Sequence, residues 1–301
     1  RQLALKDISK MIQGINPTAE KQEAKVKAIT LAEVYEDFLD ARTLKASTLN
    51  GYDKVMKVAY PDWQNLGVTD ISKDMVSRRH KKLGEKNGGA FANLSGRTLR
   101  SVLNFASAKY DDKNGSSILS ENPVTILSKT RAWYKVRRRT SHIKAHELKV
   151  WFRSVQEIEN PVIRDCLQFV ILTGCRKTEA MSLKWEHVSL PDKSFVIVDP
   201  KNHSPLELPL SDYLMSLMNL RLQGNESEYV FPAESASGHL TEPKKQLYLV
   251  TENTGIHFTI HDLRRTFITF AESLDISHYA VKALVNHKVS NSDVTAGYIQ
   301  L

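Results

Sequence analysis

Apolar residues recur at three- and four-residue intervals along most of this chain, in short runs broken by Gly, Pro and polar clusters. That periodicity forces many short amphipathic helices and leaves little room for sheet. Ile29 to Ala41 carries Leu31, Val34, Tyr35, Phe38 and Leu39 at i, i+3, i+4, i+7 and i+8. A second helix is expected from Ser47 as N-cap, with Leu49, Tyr52, Val55 and Met56 on its apolar face. A third starts near Ser72 with Met75 and Val76, and a fourth runs from about Ser95 through Leu99, Val102, Leu103 and Phe105 to Tyr110. These four make a compact helical domain over 29–115. Before it, residues 1–28 read as the end of a helix stopped by Gly14 and Pro17, followed by a polar tether. After it, Asp111 to Ser117 is a polar break, and 116–140 reads as a basic interdomain linker, extended from Pro123 to Thr140.

Beyond 140 the pattern changes. His146 to Ile158 and Val162 to Leu172 are helical, the second apolar enough to be buried. Ser194 to Val198 and Leu206 to Leu210 alternate as strands around Asp199-Pro200-Lys201-Asn202-His203, a hairpin with a lysine at its tip. Helical spacing resumes at Ser211 to Leu222, Glu242 to Glu252, Leu263 to Leu274 and Ser277 to Val285. The expected fold is mainly α with a small antiparallel sheet, and 301 residues suffice for two or three domains. No apolar run approaches a membrane span. Two cysteines, Cys166 and Cys175, are too few for a disulfide framework and suggest a reducing compartment.

Charge separates the same two regions. Residues 1–140 hold 26 Lys and Arg against 15 Asp and Glu, a surplus of 11, whereas 141–301 hold 16 against 19. The excess is densest at Arg131, Lys135, Arg137, Arg138 and Arg139. A basic region beside a near-neutral one suits a polyanionic partner, nucleic acid above all.

Four clusters could carry chemistry: Thr173 to Glu179, Lys201, His261 to Arg265, and Asn286-His287 with Tyr298. Singly, each has an ordinary explanation, such as a helix C-cap at Gly174 or a solvated Lys201. Together they suggest a phosphodiester site. His261 and Arg264 share a helix face, and Arg176 follows a tight glycine turn. Two guanidiniums match the bidentate geometry of a phosphate and balance the charge of a pentavalent transition state. A tyrosine oxygen can store the broken backbone bond as a covalent link, and a lysine can protonate the departing oxygen. A zinc site on His257 and His261 is disfavoured, because no acidic partner is suitably spaced.

In order and spacing, Thr173-Gly174-Cys175-Arg176, His261-Asp262-Leu263-Arg264-Arg265-Thr266, Asn286-His287 and Thr295-Ala296-Gly297-Tyr298-Ile299 resemble the motif boxes of the tyrosine recombinases, the phage-type integrases. The resemblance covers 141–301, implying an α+β catalytic domain there and a helical, SAM-like core-binding domain over 29–115. Residues 1–28 would be the remnant of a preceding arm-site domain, consistent with the missing initiator Met. It implies a recombinase that integrates or excises a mobile element. Tyr298 would attack the scissile phosphate, Arg176 and Arg264 would hold its non-bridging oxygens, and Lys201 would protonate the 5′-oxygen, with Lys193 as the alternative in that hairpin. His261 would assist proton transfer, His287 would hydrogen-bond the phosphate, and Glu179 would orient the site.

Implied partners are double-stranded attachment-site DNA, further copies of the chain in a homotetramer on that DNA, and an accessory bending or directionality protein. No cofactor or membrane is implied, and the setting is the cytoplasm of a bacterial host. Lys45, Arg78, Arg79, Lys81, Lys82, Arg97, Arg100, Arg137 and Arg138 are the expected phosphate contacts. The same chemistry would also serve a type IB topoisomerase, and a degenerate site would leave a non-catalytic DNA-binding protein. In this sequence Asn286 stands where the family usually has glycine, tolerable because Asn accepts left-handed backbone angles.

Overall fold

The computed structural model describes residues 29–112, 114–198 and 205–286, and the chain divides between Arg138 and Arg139 into two compact units. In the first unit the described helices are α1 (Leu31–Asp40), α2 (Ala46–Ala59), α3 (Lys73–Asn87), α4 (Gly89–Lys109) and the single turn α5 (Ile126–Lys129). Local chemistry sets the ends of α1 and α3. Thr30 Oγ1 accepts from the Glu33 N–H while Glu33 Oε2 accepts from the Thr30 N–H at 2.8 Å, a reciprocal cap on α1. Ser72 caps α3 by accepting from the Met75 N–H. Buried Phe38 on α1 packs against Tyr52 and Phe105, both with ring centroids 5.7 Å away. The long α4 runs through this core, burying Ala92, Leu99, Val102, Leu103 and Ala106.

Two expected starts are displaced. α2 begins with Lys45 at its N-cap, so Ser47 lies inside the first turn. α4 begins at Gly89, and the Ser95 hydroxyl instead donates to the Phe91 carbonyl one turn back, as a serine inside a helix does.

The larger correction concerns 116–140. This segment is not an extended linker: Pro123–Thr125 forms a 3-10 turn, α5 follows, and Leu119, Val124 and Leu127 are buried in the first unit's core. Asn122 donates to the Arg100 carbonyl at 3.0 Å and to Asn104 Oδ1 at 2.7 Å. Trp133 Nε1 donates to Ser128 Oγ. Asn93 bonds both the N–H and the carbonyl of Tyr134, and His80 stacks on its ring. The spacing of Leu119, Val124, Leu127 and Trp133 follows neither helical nor strand period, so pattern reading passed over it. From residue 132 to residue 144 the chain has no helix or strand, and 135–140 is exposed throughout.

The second unit contains α6 (Ala145–Gln156), α7 (Pro161–Thr173), α8 (Lys177–Met181), α9 (Asp212–Leu222), α10 (Lys244–Thr254), α11 (Ile260–Ser273) and α12 (His278–Leu284). Its sheet is β1 (Val188–Ser189), β2 (Ser194–Ile197) and β3 (Leu206–Pro209), antiparallel in that order, with Phe195 opposite Leu208. β1, only two residues long, carries no readable alternation of its own. α7 is the buried helix expected: Asn160 accepts from the N–H groups of Val162 and Ile163, Pro161 follows, and Ile163, Cys166, Leu167, Phe169 and Val170 are buried. Phe169 meets Phe195 of the sheet and Phe231. Burial pushes the Cys166 and Cys175 thiols up to about 12, and both are free cysteines of the interior. α11 starts three residues before the expected Leu263, because Thr259 and Asp262 cap it reciprocally. Among the described residues no helix is long and apolar enough to cross a membrane.

The Tyr134 ring lies where side chains at two glycines would project. A Cβ on Gly84 would fall 2.0 Å from Tyr134 Oη, and one on Gly89 2.6 Å from Tyr134 Cβ. Gly→Ala inside a helix ordinarily stabilises by about 1 kcal/mol. Gly84→Ala is expected to do the reverse, costing about 1–3 kcal/mol through overpacking. Thermal melting of Gly84→Ala beside Gly51→Ala, where nothing lies within 4 Å of the new methyl, checks this.

Candidate active site

Two arginines far apart in sequence converge on three backbone carbonyls. α7 ends at Thr173, and Gly174 turns the chain with φ +66. A Cβ there would meet the Phe267 ring at 2.4 Å, so glycine is required both by the angle and by the close approach of α11. Arg264, only 3% exposed, donates to the Gly174 carbonyl at 2.6 Å and to the Val285 carbonyl just past α12. Arg176 occupies the N-cap of α8 and donates from Nη2 to the Asn286 carbonyl at 3.2 Å. Asn286 itself has φ +48, a left-handed backbone angle that asparagine accepts.

Glu179 holds Arg176 from two directions. Its Oε2 accepts from the Arg176 N–H at 2.9 Å, and its Oε1 from the Arg176 guanidinium at 2.7 Å. The Arg176 side chain is still 21% exposed, so it reaches solvent where Arg264 does not. Burial and the neighbouring Arg176 charge bring Arg264 down to about 10, which leaves it charged at neutral pH. With Glu179 the only carboxylate paired to either, the two arginines retain one positive charge in excess among the described residues. A guanidinium has five N–H donors, and two of Arg264's are committed to carbonyls.

His261 lies in the first turn of α11 with its ring exposed. Burial of part of the ring and the charges of Arg265, Arg264 and Arg176 hold it below the usual histidine range. It is therefore neutral at physiological pH and free to accept a proton. Next to it, Asp262 is fully buried yet kept ionised by the Thr259 N–H and O–H, the Ser141 hydroxyl and Arg265. The pairing of Thr259 with Asp262 three residues on was a capping signal present in the sequence and not read there.

The structure thus brings together Arg176, Glu179, Arg264, His261 and Asn286. Lys201, His287 and Tyr298 lie outside the described residues. Lys193 does not join the cluster; it has φ +50 in the turn before β2 and pairs with Asp212 at 3.1 Å. His257 is exposed, and among the described residues no three His, Cys, Asp or Glu side chains gather as metal ligands.

The expected phosphate contacts divide. Arg79 is a structural residue: it donates to the Ala59 carbonyl, pairs with Asp62 and lies over the Trp63 ring. Arg100 is likewise engaged, donating to the Val124 carbonyl and Ser128 Oγ and lying over Trp133. Arg78 is exposed and paired with Asp74 one turn earlier. Lys45, Lys81, Lys82, Arg97, Arg137 and Arg138 are exposed.

Residues 132–301, more than half of the chain, match the phage integrase family. The chain belongs to that family. Over 156 residues it is 32% identical to the prophage integrase IntF of Escherichia coli (strain K12), covering 49% of this chain and 33% of that protein. Over 226 residues it is 25% identical to the shufflon-specific DNA recombinase of Escherichia coli, covering 72% and 55%. The chain therefore spans between a third and a little over half the length of these relatives. Among solved structures, the lambda integrase tetramer bound to a Holliday junction matches with a TM-score of 0.71 at 19% identity, covering 97% of this chain and 88% of that one. The Tn1549 transposon integrase bound to transposon right-end DNA matches with a TM-score of 0.72 at 13% identity, covering 91% and 96%. These integrases share this chain's fold, mainly helical with a small antiparallel sheet.

The His261 environment has a measurable consequence. Its NMR titration midpoint is expected below the ordinary value of about 6.5. Arg265→Gln should raise it by removing the largest like-charge neighbour. Because the folded-state value is the lower one, the native protein binds fewer protons than the unfolded chain around that pH. His261's contribution to stability is thus complete above about 6.5 and declines as pH falls below it. A midpoint at or above 6.5 would contradict this arrangement.

Proposed function

We propose that this chain is a site-specific DNA recombinase that cleaves and rejoins DNA through a 3′-phosphotyrosyl intermediate, integrating or excising a mobile element. The observation that carries the reading is the convergence of Arg176 and Arg264 on the carbonyls of residues 174, 285 and 286, with one unbalanced positive charge. In this reading Tyr298 attacks the scissile phosphorus, forming a P–O bond as the bond to the 5′-oxygen breaks. Arg176 and Arg264 stabilise the charge that develops on the non-bridging oxygens, and Glu179 keeps Arg176 in position. His261 takes the phenolic proton, His287 hydrogen-bonds the phosphate, and Lys201 delivers a proton to the departing oxygen. A 5′-hydroxyl from another strand then reverses the step, so no energy source is consumed.

DNA is the substrate and partner, supported by the basic surplus of residues 1–140 and by family membership. Lambda integrase has been solved as a dimer on a core site and as a tetramer on a Holliday junction, and we extend both assemblies to this chain. The two relatives named above are an integrase and a recombinase, which favours strand exchange over topoisomerase-like relaxation. The helical unit that ends at Arg138, its packed 116–134 segment included, serves as the core-binding domain, and 141–301 as the catalytic domain. An accessory DNA-bending or directionality protein completes the set, acting in the bacterial cytoplasm.

The direct test is a nicked duplex library with a randomised core, from which protein-linked DNA is recovered under denaturing conditions and sequenced. The wild type should yield an adduct in EDTA on an enriched core. Tyr298→Phe should abolish the adduct with gel-shift affinity unchanged, and Arg176→Ala should slow it by about 10²–10³-fold. An adduct that persists in Tyr298→Phe rejects the assignment.

A second experiment separates phosphate contacts from structural arginines. Arg97→Ala should weaken binding across sequences and lower the slope of log K against log salt by about 1. Arg100→Ala should leave that slope unchanged and lower the melting temperature, because the Val124 carbonyl loses its partner inside the first unit. Gel shifts over a salt series, beside thermal melts, check both.

A further inference from the structure

The buried carboxylate of Asp262 joins the His261–Arg264 helix to the segment by which the chain enters the second unit. Residues 141–143 follow directly on the unit boundary at Arg138 and Arg139. Ser141 Oγ donates to Asp262 Oδ1 at 2.9 Å. Two residues on, the Ile143 N–H donates to Thr266 Oγ1 at 2.9 Å, and Thr266 Oγ1 in turn donates to the Asp262 carbonyl at 2.8 Å. The Ile143 side chain is buried in the second unit's core, so this short strap is fixed by both side chain and backbone. Asp262 and Thr266 are four apart and share one side of α11. At about 100° per residue that side lies roughly 150° around the helix from the side carrying His261 and Arg264. The strap therefore grips α11 from behind the proposed site.

The two site residues on α11 differ in how they are held. The Arg264 guanidinium is fixed at its tip by the Gly174 and Val285 carbonyls. His261 is exposed and takes its place from the first turn of α11. That turn is set by Asp262: Oδ2 accepts from the N–H and O–H of Thr259, and Oδ1 from Ser141 and Arg265. Of these donors only Ser141 belongs to the incoming strap.

We propose that Ser141 and Asp262 are positioning residues for strand cleavage, fixing the first turn of α11 so that His261 meets the reacting tyrosine oxygen. The proposal rests on the recombinase reading above. Ser141 contacts no reacting group in it and acts only through Asp262. Removing its hydroxyl leaves Asp262 three donors and creates no unpaired buried charge, so Ser141→Ala is expected to fold, whereas Asp262→Asn disturbs the cap itself.

The test uses the full chain and the core duplex enriched in the library experiment. At saturating protein, Ser141→Ala should form the covalent adduct about tenfold more slowly, since small misplacements of catalytic groups are costly. Its DNA affinity should stay within about twofold of wild type, and its melting temperature should fall by no more than a few degrees, the loss of one donor by a carboxylate that keeps three. Ser141→Thr, which keeps the hydroxyl, should restore the rate. In a His261→Ala background Ser141→Ala should have no further effect, because the two act in series. Cleavage at the wild-type rate by Ser141→Ala would overturn the proposal, as would a loss that tracks affinity or melting temperature, or additive effects in the double variant. Wild-type protein on the same duplex separates the two levels: without a wild-type adduct the recombinase reading itself falls, and with one only the positioning role is in question.

Discussion

The second unit is organised around a guanidinium that has lost its water. Arg264 is 3% exposed, and a buried cation must find acceptors or it is not tolerated. Its acceptors are the carbonyls of Gly174 and Val285, each freed by a helix that has just ended. The end of α7, the end of α12 and the start of α11 are thereby held at one point. Gly174 can turn there only because it lacks a Cβ, which leaves room for Phe267. Arg176 repeats the logic one residue further along, taking the Asn286 carbonyl while Glu179 holds its other side. Structural hydrogen bonds and the positive charge proposed for a phosphate thus come from the same two side chains.

The first unit makes the complementary point about charge. Its surplus of basic residues reads as a uniform polyanion-binding surface until burial sorts it. Arg79 and Arg100 lie over tryptophan rings and donate to backbone carbonyls, while Arg97, three residues before Arg100 on the same helix, is exposed. By charge alone Arg97 and Arg100 are equal candidates for phosphate contact. Arg100 donates to Val124 and Ser128 within the part of 116–140 that folds, so an expected phosphate contact and an expected extended linker meet in one packed contact.

Much of the helical framework was legible because helix formation obeys local rules. Leu31 to Phe38, the Ser72 cap, the Asn160-Pro161 start of α7 and the Ser211 cap of α9 are settled within one or two turns. The same locality explains what was misplaced. Ser47 and Ser95 have the side chain of a cap without the position of one, and β1 is too short to alternate. The candidate site was legible as an ordered set of boxes, including an asparagine able to adopt the left-handed angle seen at Asn286. The contacts of Ser141 with Asp262 and of Ile143 with Thr266 were not, because each partner is supplied from the other end of the unit, whereas the Thr259–Asp262 cap was a local signal that went unread.

The sequence by itself determined the helical period, the Ser72 cap, the two strands of the hairpin and the charged residues within each box, since each is encoded by neighbours a few residues apart. Only the tertiary structure decided that Arg264 reaches a carbonyl 90 residues before it, that Arg176 reaches one 110 residues after it, and that Ser141 closes on a carboxylate 121 residues away. It also decided which arginines are committed to the fold. These are consequences of packing: a buried polar group must be satisfied by whatever the fold brings beside it, and that neighbour is fixed by the shape of the whole core.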